Sequence, residues 1–175
     1  MINFNRKMSE SIKINKALPD GEIYAIILKQ VNAILNPEEP LISNLANVTA
    51  VLKESFGKIS WVGFYLEKNG KLFLGPFQGK VACTVIENGK GVCGTSLVQR
   101  KTLIVEDVDK FPGHIACDSG SRSEIVLPLV KDKKIYGVLD LDSYNLSAFN
   151  EVDKNNLELL CDLLTKKLPF EKLVL

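Results

Sequence analysis

The stretch Ser123-Glu-Ile-Val-Leu-Pro-Leu-Val-Lys-Asp-Lys-Lys-Ile-Tyr-Gly-Val-Leu-Asp-Leu-Asp-Ser143 decides the fold. It holds two strand-like runs, Ser123–Val130 and Lys134–Asp142, joined only by Lys131-Asp132-Lys133. So short a link requires an antiparallel hairpin, because a parallel return needs a long crossover. In the second run alternate side chains share a face. Ile135, Gly137, Leu139 and Leu141 are expected to point one way, and Tyr136, Val138, Asp140 and Asp142 the other. Two carboxylates therefore stand side by side at the end of an apolar strand, with Glu124 on the neighbouring strand able to approach them across the hairpin. Clustered carboxylates repel, so they call for a cation or a proton. A ligand ammonium supplies the first, and an acid with a raised pKa becomes a proton donor. The plainer alternative is a pair of solvated strand ends.

Outward from the hairpin, Ile59–Glu67 reads as a strand, and Asn69-Gly70 is a hairpin turn before a strand at Lys71–Leu74. Before it lie two helical stripes. Asp20–Leu35 carries Ile23, Ile26, Ile27, Val31, Ile34 and Leu35, and Leu41–Phe56 carries Leu41, Leu45, Val48, Leu52 and Phe56. Pro37 and Pro40 separate them, and Gly57 suits a helix stop. A short helix at Gly94–Arg100 and a strand at Thr102–Glu106 follow. Asn150 caps a last helix, with Asp153 in its first turn and a stripe of Leu157, Leu160, Cys161, Leu164 and Leu168. Helices, antiparallel strands, then a closing helix describe an α+β sandwich: a central antiparallel sheet flanked by N-terminal and C-terminal helices.

The chain has 175 residues, enough for one ordinary domain over 19–175, preceded by a polar arm over 1–18. With 22 basic and 21 acidic residues it has no charge excess to attract nucleic acid or an anionic membrane. Its apolar runs are far shorter than the ~20 residues of a membrane span. The arm lacks the apolar core of a secretory leader, so a reducing, cytoplasmic compartment is expected, where paired cysteines serve catalysis or metal binding more often than structure.

Four cysteines stand at 83, 93, 117 and 161, with no C-x-x-C. With one histidine in the chain, a tetrahedral zinc site would use nearly all of them, so redox chemistry is the better expectation and no metal is assigned. Cys117 lies in a loop marked by Pro112, Gly113, Ser119 and Gly120, with His114 and Arg122 nearby, where a thiol can be accessible and partly ionised. Cys93 lies in Gly89-Lys-Gly-Val-Cys-Gly94, which matches G-x-G-x-x-G. As a dinucleotide fingerprint that run needs a parallel βαβ unit, which the flanking pattern lacks. The alternative is that its glycines hold Cys93 on a mobile loop, able to approach another sulfur. Cys83 is ten residues earlier and can serve the same loop. Cys161 falls on the apolar stripe of the last helix and reads as core. Trp61 and Tyr65 face the same side of their strand, either as sheet packing or as an aromatic wall for a small apolar group.

These blocks resemble the free methionine-(R)-sulfoxide reductase family, enzymes built on a single GAF domain. The resemblance rests on Gln78-Gly-Lys-Val-Ala-Cys83, Gly89-Lys-Gly-Val-Cys-Gly94, Phe111-Pro-Gly-His-Ile-Ala-Cys-Asp118, Ser123-Glu-Ile-Val126 and Gly137-Val-Leu-Asp-Leu-Asp-Ser143. Val85-Ile-Glu-Asn88 departs from it, because relatives often have a basic residue and a proline there. The resemblance implies reduction of free L-methionine-(R)-sulfoxide through a Cys sulfenic acid and an intramolecular disulfide, recycled by a thioredoxin-like dithiol. It assigns Cys117 as nucleophile, Cys93 as main resolving cysteine and Cys83 as a second resolving thiol. Glu124, Asp140 and Asp142 would bind the substrate, and Trp61 and Tyr65 would wall its methyl end. It implies no cofactor and a homodimer. Two rivals are a GAF sensor that holds a small ligand and a thiol sensor that signals to a protein partner.

Overall fold

A computed structural model describes residues 14–115 and 117–172. Most of the expected N-terminal arm (1–13), Ala116 of the Cys117 loop, and 173–175 lie outside the described residues. The chain forms α1 (Asp20–Ile34), α2 (Leu41–Ser55), β1 (Trp61–Lys68), β2 (Lys71–Gln78), β3 (Val85–Glu87), α3 (Gly91–Gln99), β4 (Leu103–Val105), β5 (Ser123–Lys131), β6 (Lys134–Ser143) and α4 (Glu151–Lys167). The sheet order is β3-β2-β1-β6-β5-β4, and every pairing is antiparallel. No parallel strand pair therefore exists among the described residues, and the glycine run before α3 is not a dinucleotide fingerprint.

The two hairpins close as the sequence expects. Asn69 and Gly70 have φ of 53° and 77°, and Asp132 and Lys133 have φ of 51° and 64°, the left-handed pairs of two-residue hairpin turns. One sheet face carries α1, α2 and α4, where Ile27, Val31, Leu45, Leu52, Leu157 and Leu164 bury against Val62, Phe64, Leu127 and Leu139. Cys161 lies buried in this core, as its helical stripe implies. α4 is anchored by Asn150, whose side chain accepts from Val152 N at 2.7 Å, and by Asp153, which accepts from Asn150 N at 2.9 Å. Asp153 also accepts from Tyr24 Oη at 2.9 Å and pairs with Lys58 at 2.6 Å, tying α1, α4 and the α2–β1 link together. None of the described helices is long and apolar enough to cross a membrane.

Three expectations need correction. In β6 the alternation reverses at its start: Ile135 pairs with Val130 and Gly137 with Leu129, leaving Tyr136 as an extra residue. This bulge turns Ile135 toward the second core and Tyr136 onto Phe170 in the first, ring centroids 5.6 Å apart. Gly137 makes it possible, since its φ is 148° and any Cβ there would strike the carbonyl oxygen of Tyr65. Next, β2 runs to Gln78 rather than Leu74, because the register shift opposite Gly63 and Tyr65 accommodates Gly75-Pro76 within the strand. Last, α3 begins at Gly91, so Cys93 sits in its first turn and is 4% exposed rather than carried on a mobile loop.

Candidate active site

The face opposite α1, α2 and α4 carries a second, smaller core and a pocket. Register builds its floor. Asp142 pairs with Trp61 on β1 and with Glu124 on β5, while Asp140 pairs with Gly63 and Val126. Residues two apart on a strand share a face. Glu124, Asp140, Asp142, Trp61 and Tyr65 therefore converge on one patch, as the sequence reading expects. Glu124 and Asp140 are 5% and 6% exposed, which excludes the solvated strand ends as their setting. Trp61 and Tyr65 stack at 6.0 Å between centroids, and Phe77 extends the stack behind Trp61 at 5.5 Å.

Burial dominates the electrostatics of the three acids. It pushes the Asp140 carboxyl up to about 7, against the opposing pull of hydrogen bonds with Cys93 and Glu124. Glu124 rises well above the usual carboxylate range, first through burial and then through the charges of Asp140 and Asp142. Asp142 rises well above it for the same reasons, with a Ser121 hydrogen bond acting against them. Like charges in one dry site cannot all ionise, so the trio retains protons at neutral pH. Asp140 Oδ1 is buried with no hydrogen-bond partner, an acceptor aimed at nothing in the chain. An ammonium group would satisfy it, and a bound acid proton would serve a departing oxygen.

Two loops close over this floor, and a disulfide between Cys83 and Cys117 joins them, with Cα atoms 5.5 Å apart. The first loop, 79–84, is held from beneath by both aromatic residues. Trp61 Nε1 donates to the Lys80 carbonyl at 3.0 Å, and Tyr65 Oη donates to the Cys83 carbonyl at 3.0 Å. The second loop carries His114, Cys117 and Asp118. Asp118 caps its own turn by accepting from Gly120 N at 2.9 Å, accepts from Tyr144 Oη at 2.8 Å, and pairs with Lys80 across the gap at 3.3 Å. Lys80, Asp118 and Tyr144 were not singled out by sequence reasoning. The Asp118-Ser-Gly120 turn signal was legible, whereas its long-range partners were not.

Cys93, given the principal resolving role by resemblance, is a free thiol in this structure. It donates to Asp140 Oδ2 at 3.3 Å, and its Sγ is 3.9 Å from Glu124 Oε1. Burial and the neighbouring acids hold its proton on, raising its pKa well above the ordinary thiol value. His114 Nε2 is 3.8 Å from Glu124 Oε2, and burial lowers the histidine's pKa. Cys93, Glu124 and Asp140 place one sulfur and two oxygens within 4.8 Å of one another, a donor set that also suits a metal ion. With the disulfide closed, the pocket has about 40 Å³ of room for water, space for only a few molecules.

The profile of the GAF domain family matches residues 44–166. The chain is 53% identical over 158 residues to GAF domain-containing protein A of Dictyostelium discoideum, covering 90% of this chain and 99% of that protein. It is 46% identical over 147 residues to the free methionine-R-sulfoxide reductase of Escherichia coli, covering 84% and 89%. Among solved structures, that of free methionine-R-sulfoxide reductase from Neisseria meningitidis in complex with its substrate superposes with a TM-score of 0.84. The two chains share 46% identity, over 89% of this one and 92% of the other.

Proposed function

The chain belongs to the free methionine-R-sulfoxide reductase family of GAF domains, and from that premise we propose that it reduces free L-methionine-(R)-sulfoxide to methionine with its own thiols. The observation that carries this reading is a disulfide lying over the pocket lined by the buried acids Glu124 and Asp140 and by Asp142. In the reduced protein, Cys117 Sγ attacks the sulfoxide sulfur while a protonated acid, Glu124 or Asp142, supplies the proton to its oxygen. The hydroxyl then moves from the substrate sulfur to Cys117 as the substrate's sulfur–oxygen bond and the transient sulfur–sulfur bond break, so methionine departs as the thioether and Cys117 is left as a sulfenic acid. The thiol proton returns to the acid, so one thiol and one sulfoxide become one sulfenic acid and one thioether. Cys83 then displaces water from that sulfenic acid and forms the disulfide. Cys93 lines the same pocket and is the reserve resolving thiol.

A dithiol of the thioredoxin class restores both sulfurs through a mixed disulfide. Reduction also frees the two loops from one another, which enlarges a pocket too small, when closed, for an amino acid. The acids select the free amino acid because it carries an ammonium that a peptide-linked methionine lacks, and a buried polar site left unpaired discriminates strongly. Trp61 and Tyr65 form the apolar wall for the methyl group. The protein works in a reducing, cytoplasmic compartment, as a homodimer of single GAF domains over 19–175, and needs no cofactor.

Turnover tests this directly. The protein with dithiothreitol is expected to convert free L-methionine-(R)-sulfoxide to methionine, and Cys117→Ser to abolish the conversion. Cys83→Ser is expected to keep a single turnover but lose most steady-state activity with thioredoxin. No methionine from the wild type, or full activity in Cys117→Ser, ends the assignment.

A further inference from the structure

We propose that the pocket floor is also a binding site for a borderline-soft divalent cation, with Zn²⁺ as the type, held by Cys93 Sγ, one oxygen of Glu124 and one of Asp140. The metric fits. Bonds of about 2.3 Å to sulfur and about 2.0 Å to oxygen at the tetrahedral angle set sulfur and oxygen about 3.5 Å apart. Cys93 Sγ stands 3.3 Å from Asp140 Oδ2 and 3.9 Å from Glu124 Oε1, either side of that edge. All three donors already lie within 4.8 Å, so binding needs only small rotations of side chains fixed to α3, β5 and β6.

An independent observation points the same way. Asp140 is 6% exposed, yet its Oδ1 has no hydrogen-bond partner, so this site holds acceptor capacity the protein leaves unmet. A dication meets that deficit once the Asp140 carboxylate rotates to offer Oδ1 in place of Oδ2, and it offsets the charge of the acids. The sulfur donor selects zinc, cadmium or cobalt over magnesium and calcium. On binding, the Cys93 proton and those held by Glu124 and Asp140 pass to solvent, and the fourth coordination position faces the pocket, open to water.

None of the three ligands belongs to the disulfide, so the site is present in the oxidised chain. On the reductase reading, occupancy takes the acids that the substrate ammonium needs, and the cation is an inhibitor. The site itself does not depend on that reading.

The test uses the full chain in its Cys83–Cys117 disulfide form, titrated with Co²⁺ and no substrate. One equivalent is expected to bind, with a near-ultraviolet thiolate-to-cobalt charge-transfer band and the strong visible bands of tetrahedral cobalt. One equivalent of Zn²⁺ should bleach both. Cys93→Ser should abolish the charge-transfer band, Asp140→Asn should weaken binding at least tenfold, and Cys161→Ser should change nothing. Circular dichroism establishes that each variant is folded, and Asp140→Asn decides the matter if Cys93→Ser is not. No charge-transfer band in the wild type, a band that survives in Cys93→Ser, or unchanged affinity in Asp140→Asn overturns the proposal. A chain that binds cobalt this way yet reduces no sulfoxide refutes the reductase reading alone.

Discussion

Replacing Asp140 with asparagine should make the protein more stable and less able to hold its ligand. In the unfolded chain this carboxyl titrates near 3.8, and in the folded pocket burial moves it to about 7. Between those values the native state holds a proton that the unfolded state has lost. Stability therefore falls as pH rises through that window, and the loss is complete above about 7. The full penalty for ionising Asp140 in the fold is about 4 kcal/mol. Asparagine cannot ionise, but its amide needs a partner beside Cys93 and Glu124, which offsets roughly 1 kcal/mol of the gain. Asp140→Asn is thus expected to be about 3 kcal/mol more stable than the parent at about pH 8.5, and near parity at about pH 5. Urea unfolding of both proteins in the disulfide form, at both pH values, measures it. The reasoning is refuted if the stability difference between the two proteins is the same at both. The same substitution should lower affinity for methionine by at least tenfold, since a desolvated charge partner is lost.

Three further outcomes follow from the packing. Lys58→Met leaves Asp153, whose side chain is wholly buried, without its cation, and should cost about 3 kcal/mol in urea unfolding. Gly63→Ala places a Cβ 2.6 Å from Phe77 Cβ and against the Trp61 ring; it should destabilise by roughly 1–3 kcal/mol and raise KM for methionine sulfoxide more than it lowers kcat. Tyr65→Phe removes the donor that holds the Cys83 carbonyl, so amide exchange in 79–84 should speed up while the β1–β6 ladder stays protected.

Much of the fold was legible because its signals are local. The short link between the two runs, in the structure only Asp132-Lys133, admits only a hairpin, Asn69-Gly70 supplies left-handed turn residues, and the stripes of α1, α2 and α4 repeat at helical spacing. Period-two alternation was enough to put Asp140 beside Asp142 and to bring Glu124 near them across the hairpin, while the exact pairing of Glu124 with Asp142 follows from the bulge. The bulge at Tyr136 was not legible, because it answers the close approach of Gly137 to the β1 backbone, a contact between strands some seventy residues apart in the chain. The same is true of the three residues of β3, too few to carry a pattern.

The sequence by itself determined that Asp140 and Asp142 share one face of their strand and Trp61 and Tyr65 one face of theirs, since strand geometry leaves no other arrangement, whereas the β1–β6 pairing that puts them together was decided by the tertiary structure. It also marked Cys83, Cys93 and Cys117 as the thiols of interest, two of them near turn-forming residues. Only the tertiary structure decided which thiols meet. Cys83 and Cys117 come together because two loops, separated by 34 residues, are pinned over the same floor by Trp61, Tyr65 and the Lys80–Asp118 pair. Cys93 goes instead to the acids, because the helix that carries it begins three residues earlier than its glycines suggest and buries the first turn. Spacing along a chain limits which sulfurs can meet; the closure of loops over a sheet selects among them.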